Sequence, residues 1–232
     1  MRITPLRAAF AASLLLSSPL ALAAQVPGAP KAPSLGLSVG LKASTLGVGP
    51  EVGFSLAPRI GIRGGFNFLS VSRSFTTDDI DYNASFKLNT IHALLDLYLV
   101  GPLRLSGGVM RNGNKLELSA DPTIAVQIGN TTYQASDVGT ISGKIDFRKA
   151  AGYAGLGIGG KGRVGFIMDL GFMFQGSPRV SYSATTTLPA GAAQTAFNTQ
   201  VANEAANVQA DVNDKSYLKL WPVVGFGLQI KI

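Results

Sequence analysis

The chain has 232 residues, of which 46% are apolar and only 14% charged, with 28 glycines, no cysteine and one histidine. The lack of cysteine excludes disulfide frameworks and thiolate metal sites, and a lone histidine excludes two-histidine metal centres and two-histidine catalysis. The 20 Lys and Arg outnumber the 13 Asp and Glu, for a net charge of +7, but no run of five or more basic residues marks a nucleic-acid surface.

Arg2 and Arg7 flank the start of a short apolar run, "AAFAASLLL" (8–16), and "ALA" (21–23) supplies the small-x-small pattern of a processing site. That order predicts an export signal over residues 1–23, its apolar run too short for a permanent anchor. Cleavage there removes two Arg and leaves 18 basic against 13 acidic residues, a mature charge of +5. The following Pro-rich stretch, 24–34, reads as an extended linker. Beyond it no apolar run reaches the ~18 residues of a membrane-spanning helix.

From residue 35 to 232 the pattern has a period of two, the signature of strands with one apolar face. Leu35, Leu37, Val39 and Leu41 alternate, and after "TLGVGP" so do Val48, Pro50, Val52, Phe54 and Leu56. A turn at 57–59 precedes Ile60, Ile62, Phe66 and Phe68, and the acidic stretch 76–81 reads as a loop. Segments 83–100 and 103–120 read as long strands joined at "GP" (101–102). Residues 121–142 read as a polar loop with its own small hairpin around "IGN". Strands follow near 143–158 and 163–184, joined by "GGKG" (159–162). In 192–213, Phe197, Val201, Ala205, Val208 and Val212 recur at spacings of four and three, which predicts an amphipathic helix of about five turns. The last strand ends in Val224, Phe226, Leu228, Ile230 and Ile232. The count is about eight strands, most near the 9–11 residues of a tilted membrane strand. Tight turns at 57–59, 100–102 and 159–162 alternate with long connections at 76–81, 119–142 and 185–215, as when a barrel has turns at one end and loops at the other. The tight connection at 46–50 is the exception.

The residues between the apolar ones are small or charged. With the apolar set facing lipid, the interior of a narrow antiparallel barrel receives Glu51, Asp96 and Asp169 together with Arg63, Arg104 and Lys231, candidates for an ion-pair network. Eight strands enclose a space that side chains just fill, and each buried charge there needs a partner. A plugged interior is therefore expected rather than an open pore. Arg73, Arg111 and Lys115 fall near the long-loop rim, where they could pair with lipopolysaccharide phosphates. Tyr98, Tyr153 and Trp221 are candidates for interfacial aromatic girdles.

The export signal, "TLGVGPEVGFSLAPRIGIRGGFNFLSVSRS" (45–74) and the closing "YLKLWPVV" (217–224) resemble the small outer-membrane β-barrel proteins of Gram-negative bacteria, the OmpA/OmpX/OmpW-like class. The resemblance covers roughly residues 36–232. It implies an all-β, antiparallel up-and-down transmembrane barrel, located in the bacterial outer membrane and surrounded by its lipids and lipopolysaccharide, as a monomer. It also implies that the terminal strand is read by the barrel assembly machinery, through Val224, Phe226, Leu228, Ile230 and Ile232, with Ile232 where the class typically has an aromatic.

Other motifs carry less. "GLGIGGKG" (155–162) matches most of a phosphate-binding loop, but Gly162 stands where Ser or Thr is required, and a strand rather than a helix follows. Asp78, Asp79 and Asp81 are oxygen-ligand types without the spacing of a calcium loop. His92 could act as a general base in a lipid A-modifying barrel enzyme, yet the strand pattern turns it inward. The expected function is non-enzymatic, structural or surface-interacting, with no cofactor and no metal. A passive small-solute channel is the alternative, and the lipid A-modifying enzyme a second one.

Overall fold

The computed structural model describes residues 36–77, 80–159 and 163–232, so the expected export signal and linker lie outside the described residues. The first five strands are β1 (Leu37–Ser44), β2 (Gly47–Ala57), β3 (Ile60–Thr77), β4 (Ile80–Val100) and β5 (Leu103–Asn112). After them come β6 (Lys115–Pro122), the short β7 (Val126–Ile128) and β8 (Thr131–Tyr133), and β9 (Val138–Asp146). Then follow β10 (Ala150–Ile158), β11 (Val164–Phe174), β12 (Arg179–Thr186), α1 (Ala192–Asn213) and β13 (Leu220–Lys231). No helix among the described residues is long and apolar enough to cross a membrane.

Antiparallel pairings run β1–β2–β3–β4–β5–β10–β11–β13 and return to β1, a ring of eight strands. The return pairing matches Val39 with Ile230 and Leu41 with Leu228. It gives the chain terminus a hydrogen-bonded neighbour on each side. Around the ring the apolar residues of each strand point out and are exposed, among them Leu41 at 65%, Phe166 at 54% and Leu228 at 59%. The small and polar residues point in.

Three segments expected as single strands are each broken, and the breaks build a second tier. Residues 103–120 divide into β5 and β6 because the Asn112 side chain accepts from the backbone N–H of Asn114, while Gly113 N donates to Asn89 O. Residues 143–158 divide into β9 and β10. Residues 163–184 divide into β11 and β12 at Gly176, whose φ of 72° ends the ladder. The expected loop at 76–81 is instead the tip of the β3–β4 hairpin, which pairs as far as Thr77 with Ile80. Phe75 stacks on Tyr82 there with centroids 5.3 Å apart, and Thr76 donates to Asp81 at 2.7 Å. Asp81 is thus a cross-strand acceptor rather than a loop residue.

The upper parts of β3 and β4 continue into β6, β9 and β12, so the ring wall rises on one side only. On the other side β1 and β2 turn through Thr45 and Leu46, and Leu46 inserts into the interior at 1% exposure. Helix α1 lies on this tier, at the end away from the chain termini. Its Phe197 is fully buried among Ile80, Tyr82, Val126, Ile128 and Ile141. Gln209 closes the free edge of β12, accepting from Val180 N at 2.8 Å and donating to Pro178 O at 3.0 Å. An unpaired edge strand would otherwise template other chains.

Gly49 shows how closely β2 approaches its neighbour β3. A Cβ there would collide with the carbonyl oxygen of Phe66. Gly49→Val is expected to push β2 away from β3 between the Val48–Phe68 and Glu51–Gly65 pairs. The check is gel mobility of unheated, detergent-solubilised protein, where the variant should lose the compact band that heating otherwise removes.

Candidate functional site

The interior of the ring holds a charge-balanced cluster drawn from six different strands: Lys42 (β1), Glu51 (β2), Arg63 (β3), Asp96 (β4), Arg104 (β5) and Asp169 (β11). Each is 7% exposed or less. Lys42 Nζ lies 2.6 Å from Glu51 Oε2 and 3.4 Å from Asp169 Oδ2. Arg63 contacts all three carboxylates: Glu51 at 3.0 Å, Asp96 at 2.6 Å and Asp169 at 3.1 Å. Arg104 donates to Asp169 Oδ1 at 2.9 Å, and Ser106 bridges by donating to Asp96 at 2.6 Å. The cluster has three positive and three negative groups. It is a network in the sense that every member touches at least two others, directly or through Ser106.

One candidate is displaced. Lys231 is exposed, because it pairs with Ser38 at the open end of the last strand, beyond the cluster. Its place as third cation is taken by Lys42, which sequence reasoning missed. The signal was present: Leu37, Val39 and Leu41 alternate outward, so Lys42 falls on the same face as Ser38 and Gly40. His92 is buried, with Nε2 3.0 Å from Glu51 Oε2, and no lipid-facing surface reaches it.

Above the ionic layer Leu46, Leu94, Met110, Ala151, Tyr153, Met173 and Val223 form a buried apolar cluster. Above that, buried amides join the two tiers: Asn67 donates to Thr90 at 3.1 Å, Asn112 to Gln175 at 3.1 Å and Gln175 to Leu218 O at 2.9 Å. The gap lined by Lys42, His92, Leu94, Tyr153 and Asp169 measures about 10 Å³, space for about one water. The aromatic expectation needs correction. Tyr153 is buried inside, Tyr98 shares the interior face with Arg104 and Asp96, and Trp221 stacks inside on Phe86 at 6.2 Å. All three occupy inward positions of the two-residue period, so none belongs to an outer girdle.

Val224, Phe226, Leu228 and Ile230 line the outer face of β13, with Ile232 just beyond it, and the rings of Phe226 and Phe166 are 6.1 Å apart. Arg111 and Lys115 also lie on the outer face, at the level where the ring gives way to the upper tier. Arg73 does not join them, since register puts it with Val71 and Phe75 on the opposite face. Asp81 is the acceptor of Thr76, and Asp78, Asp79, Gly160 and Lys161 lie outside the described residues. Among the described residues no cluster of three or more His, Cys, Asp or Glu could hold a metal. On the upper tier Glu117 is bridged by Lys115 and Lys87, each at 2.7 Å, and these hydrogen bonds hold its carboxyl down at about 2.

No protein-family model and no curated protein matches the chain. Among solved structures, CarO2 of Acinetobacter baumannii superposes with a TM-score of 0.56 at 16% identity, over 85% of this chain and 99% of that one. CarO of the same organism gives 0.52 at 20% identity, over 84% and 97%. The chain therefore has the fold of outer-membrane β-barrel proteins.

Asp169→Asn leaves Arg63 and Arg104 short of a counter-charge and is expected to destabilise the ring by about 3–5 kcal/mol, whereas Lys231→Gln should be within about 0.5 kcal/mol of the parent. Urea midpoints in lipid vesicles check both. Glu117 has a lowered value in the folded chain, so its bridge is complete above the ordinary carboxylate range and is lost as pH falls from 4.5 towards about 2. Hydrogen exchange of β4 and β6 should rise over that interval, and Glu117→Gln should flatten the response.

Proposed function

We propose that the chain is an integral protein of the bacterial outer membrane whose filled barrel serves a structural or surface-interaction role rather than conduction or catalysis. The observation that carries this reading is the inversion of the usual arrangement. Large apolar side chains cover the outside of the ring, while six charged groups are buried within it. A water-soluble monomer rarely exposes a contiguous apolar surface of more than a few hundred Å², and a bilayer is the solvent that removes the cost. A ring with no free edge also satisfies every backbone group in lipid.

The turns at 58–59 and 101–102, the end of β10 at Ile158, the start of β11 at Val164 and both ends of the described chain lie at one end of the ring, the end proposed to face the periplasm. The upper tier then faces outward, and Val224 to Ile232 present the outer stripe proposed as the assembly signal. The interior gap of about 10 Å³ and the layered ionic, apolar and amide filling support the plugged reading over a small-solute channel. The buried position of His92 supports a non-enzymatic role over lipid A modification.

Two measurements test the proposal. Phe226→Lys puts a charge on the lipid face at a cost of about 2–4 kcal/mol near mid-bilayer, and it is expected to block insertion into vesicles. In planar bilayers the refolded protein is expected to show no steady conductance, and sustained open-channel steps would overturn the plugged reading.

A further inference from the structure

The outer face of the upper tier is continuous with the lipid-facing wall but has opposite chemistry. Climbing β3 on that face, Phe66 and Phe68 give way to Ser70, Ser72 and Ser74; on β4, Ile91 gives way to Asn89, Lys87, Ser85 and Asn83. Register extends each level across five strands. The lowest row is Ser70, Lys87, Lys115, Asp146 and Arg179, and the next is Ser72, Ser85, Glu117, Lys144 and Ser181. Above them stands Ser74, Asn83, Ser119, Ser142 and Ser183.

The lower two rows hold Lys87, Lys115, Lys144 and Arg179 against Glu117 and Asp146, with Arg111 just below. Lys87 and Lys115 share one carboxylate, and Lys144 pairs with Asp146 at 3.0 Å. Arg111 and Arg179 make no ion pair among the described residues. Positive charge is therefore in excess where the apolar wall ends. Over the hydroxyl rows the surface forms a concavity of about 540 Å³, lined in part by Ser72, Ser85, Ser119, Ser142, Ser181 and Ser183. Side chains this small leave backbone and hydroxyl groups accessible to a polyhydroxylated ligand.

Resting on the membrane reading above, we infer that this face docks the phosphorylated saccharide of a glycolipid standing in the leaflet beside the barrel. The vertical order is the argument. Acyl chains meet Phe66, Phe68 and Ile91, phosphates meet the cationic row, and sugars meet the hydroxyl rows above. Charge-assisted hydrogen bonds from Lys and Arg suit phosphate, and Ser and Asn supply both donors and acceptors to sugar hydroxyls. A free soluble saccharide would not require the apolar wall beneath, and a purely anionic lipid would not require the hydroxyl rows. Of the rim cations named from sequence, Arg111 and Lys115 belong to this face and Arg73 does not.

The test uses the full mature chain refolded into phosphatidylcholine nanodiscs, with retention of purified lipopolysaccharide, of lipid A alone and of phosphatidylglycerol compared after washing. The parent is expected to retain lipopolysaccharide most strongly. Lys115→Glu combined with Arg179→Glu should weaken retention of lipopolysaccharide and lipid A by about tenfold or more. Ser119→Trp combined with Ser142→Trp, which fills the concavity, should weaken retention of lipopolysaccharide but leave lipid A unchanged. Equal retention of lipopolysaccharide and phosphatidylglycerol, or parent-like retention by either double variant, would overturn the inference. Gel mobility before and after heating separates the two levels of failure. A chain that never inserts sinks the membrane reading, whereas an inserted, heat-modifiable barrel that ignores lipopolysaccharide sinks only this inference.

Discussion

Three cations and three carboxylates are buried together inside the ring, and neither set is tolerable there without the other. Taking an ion out of water costs several kcal/mol even after relaxation, and only close, hydrogen-bonded partners offset it. Each of the six groups comes from a different strand, so the cluster forms only when those strands stand in the right register. A slip of one residue in any of them would turn its charge out into the apolar wall and leave the others unpaired. The network thus reports the closed ring as much as it fills it. Arg63, reaching all three carboxylates, is the centre of that dependence.

Close approach of neighbouring strands explains the glycine at position 49. Where β2 passes β3, the carbonyl of Phe66 occupies the space that a side chain on residue 49 would need. The interior is layered by what each level can accommodate: ions where small residues leave room for long polar side chains, an apolar cluster above, and buried amides where the ring meets the upper tier. Above that junction the wall survives only on the β3–β12 side. Helix α1 and the β7–β8 hairpin cover its inner face, and its outer face keeps a hydroxyl and cationic surface over the apolar wall.

Much of this was legible in the alternation. The tight turns at 57–59 and 101–102, the helix over 192–213, and the inward direction of Glu51, Arg63, Asp96, Arg104 and Asp169 follow from a period of two or of 3.6 read against Gly, Pro and polar breaks. The breaks at Asn112–Asn114 and Gly176 were not legible as such. An Asx turn and one left-handed glycine look like ordinary strand residues when the flanking alternation continues on both sides. Residues 76–81 differ for the opposite reason: acidic residues suggest a loop, but here Asp81 is satisfied across the strands by Thr76. Residue type alone makes Tyr98, Tyr153 and Trp221 girdle candidates, whereas their positions in the two-residue period turn them inward.

What the amino-acid order determined by itself was the face of each strand, because adjacent side chains on an extended backbone must point to opposite sides. It could not determine which residues from distant strands meet at one height. That depends on the stagger of eight tilted strands, a property of the closed ring. Hence Lys42, at the level of Glu51 and Asp169, enters the cluster, while Lys231, on the same kind of face but at the strand's open end, stays in solvent. The tiered wall has the same origin, since only the paired strands reveal that β6, β9 and β12 continue the barrel upward on one side alone.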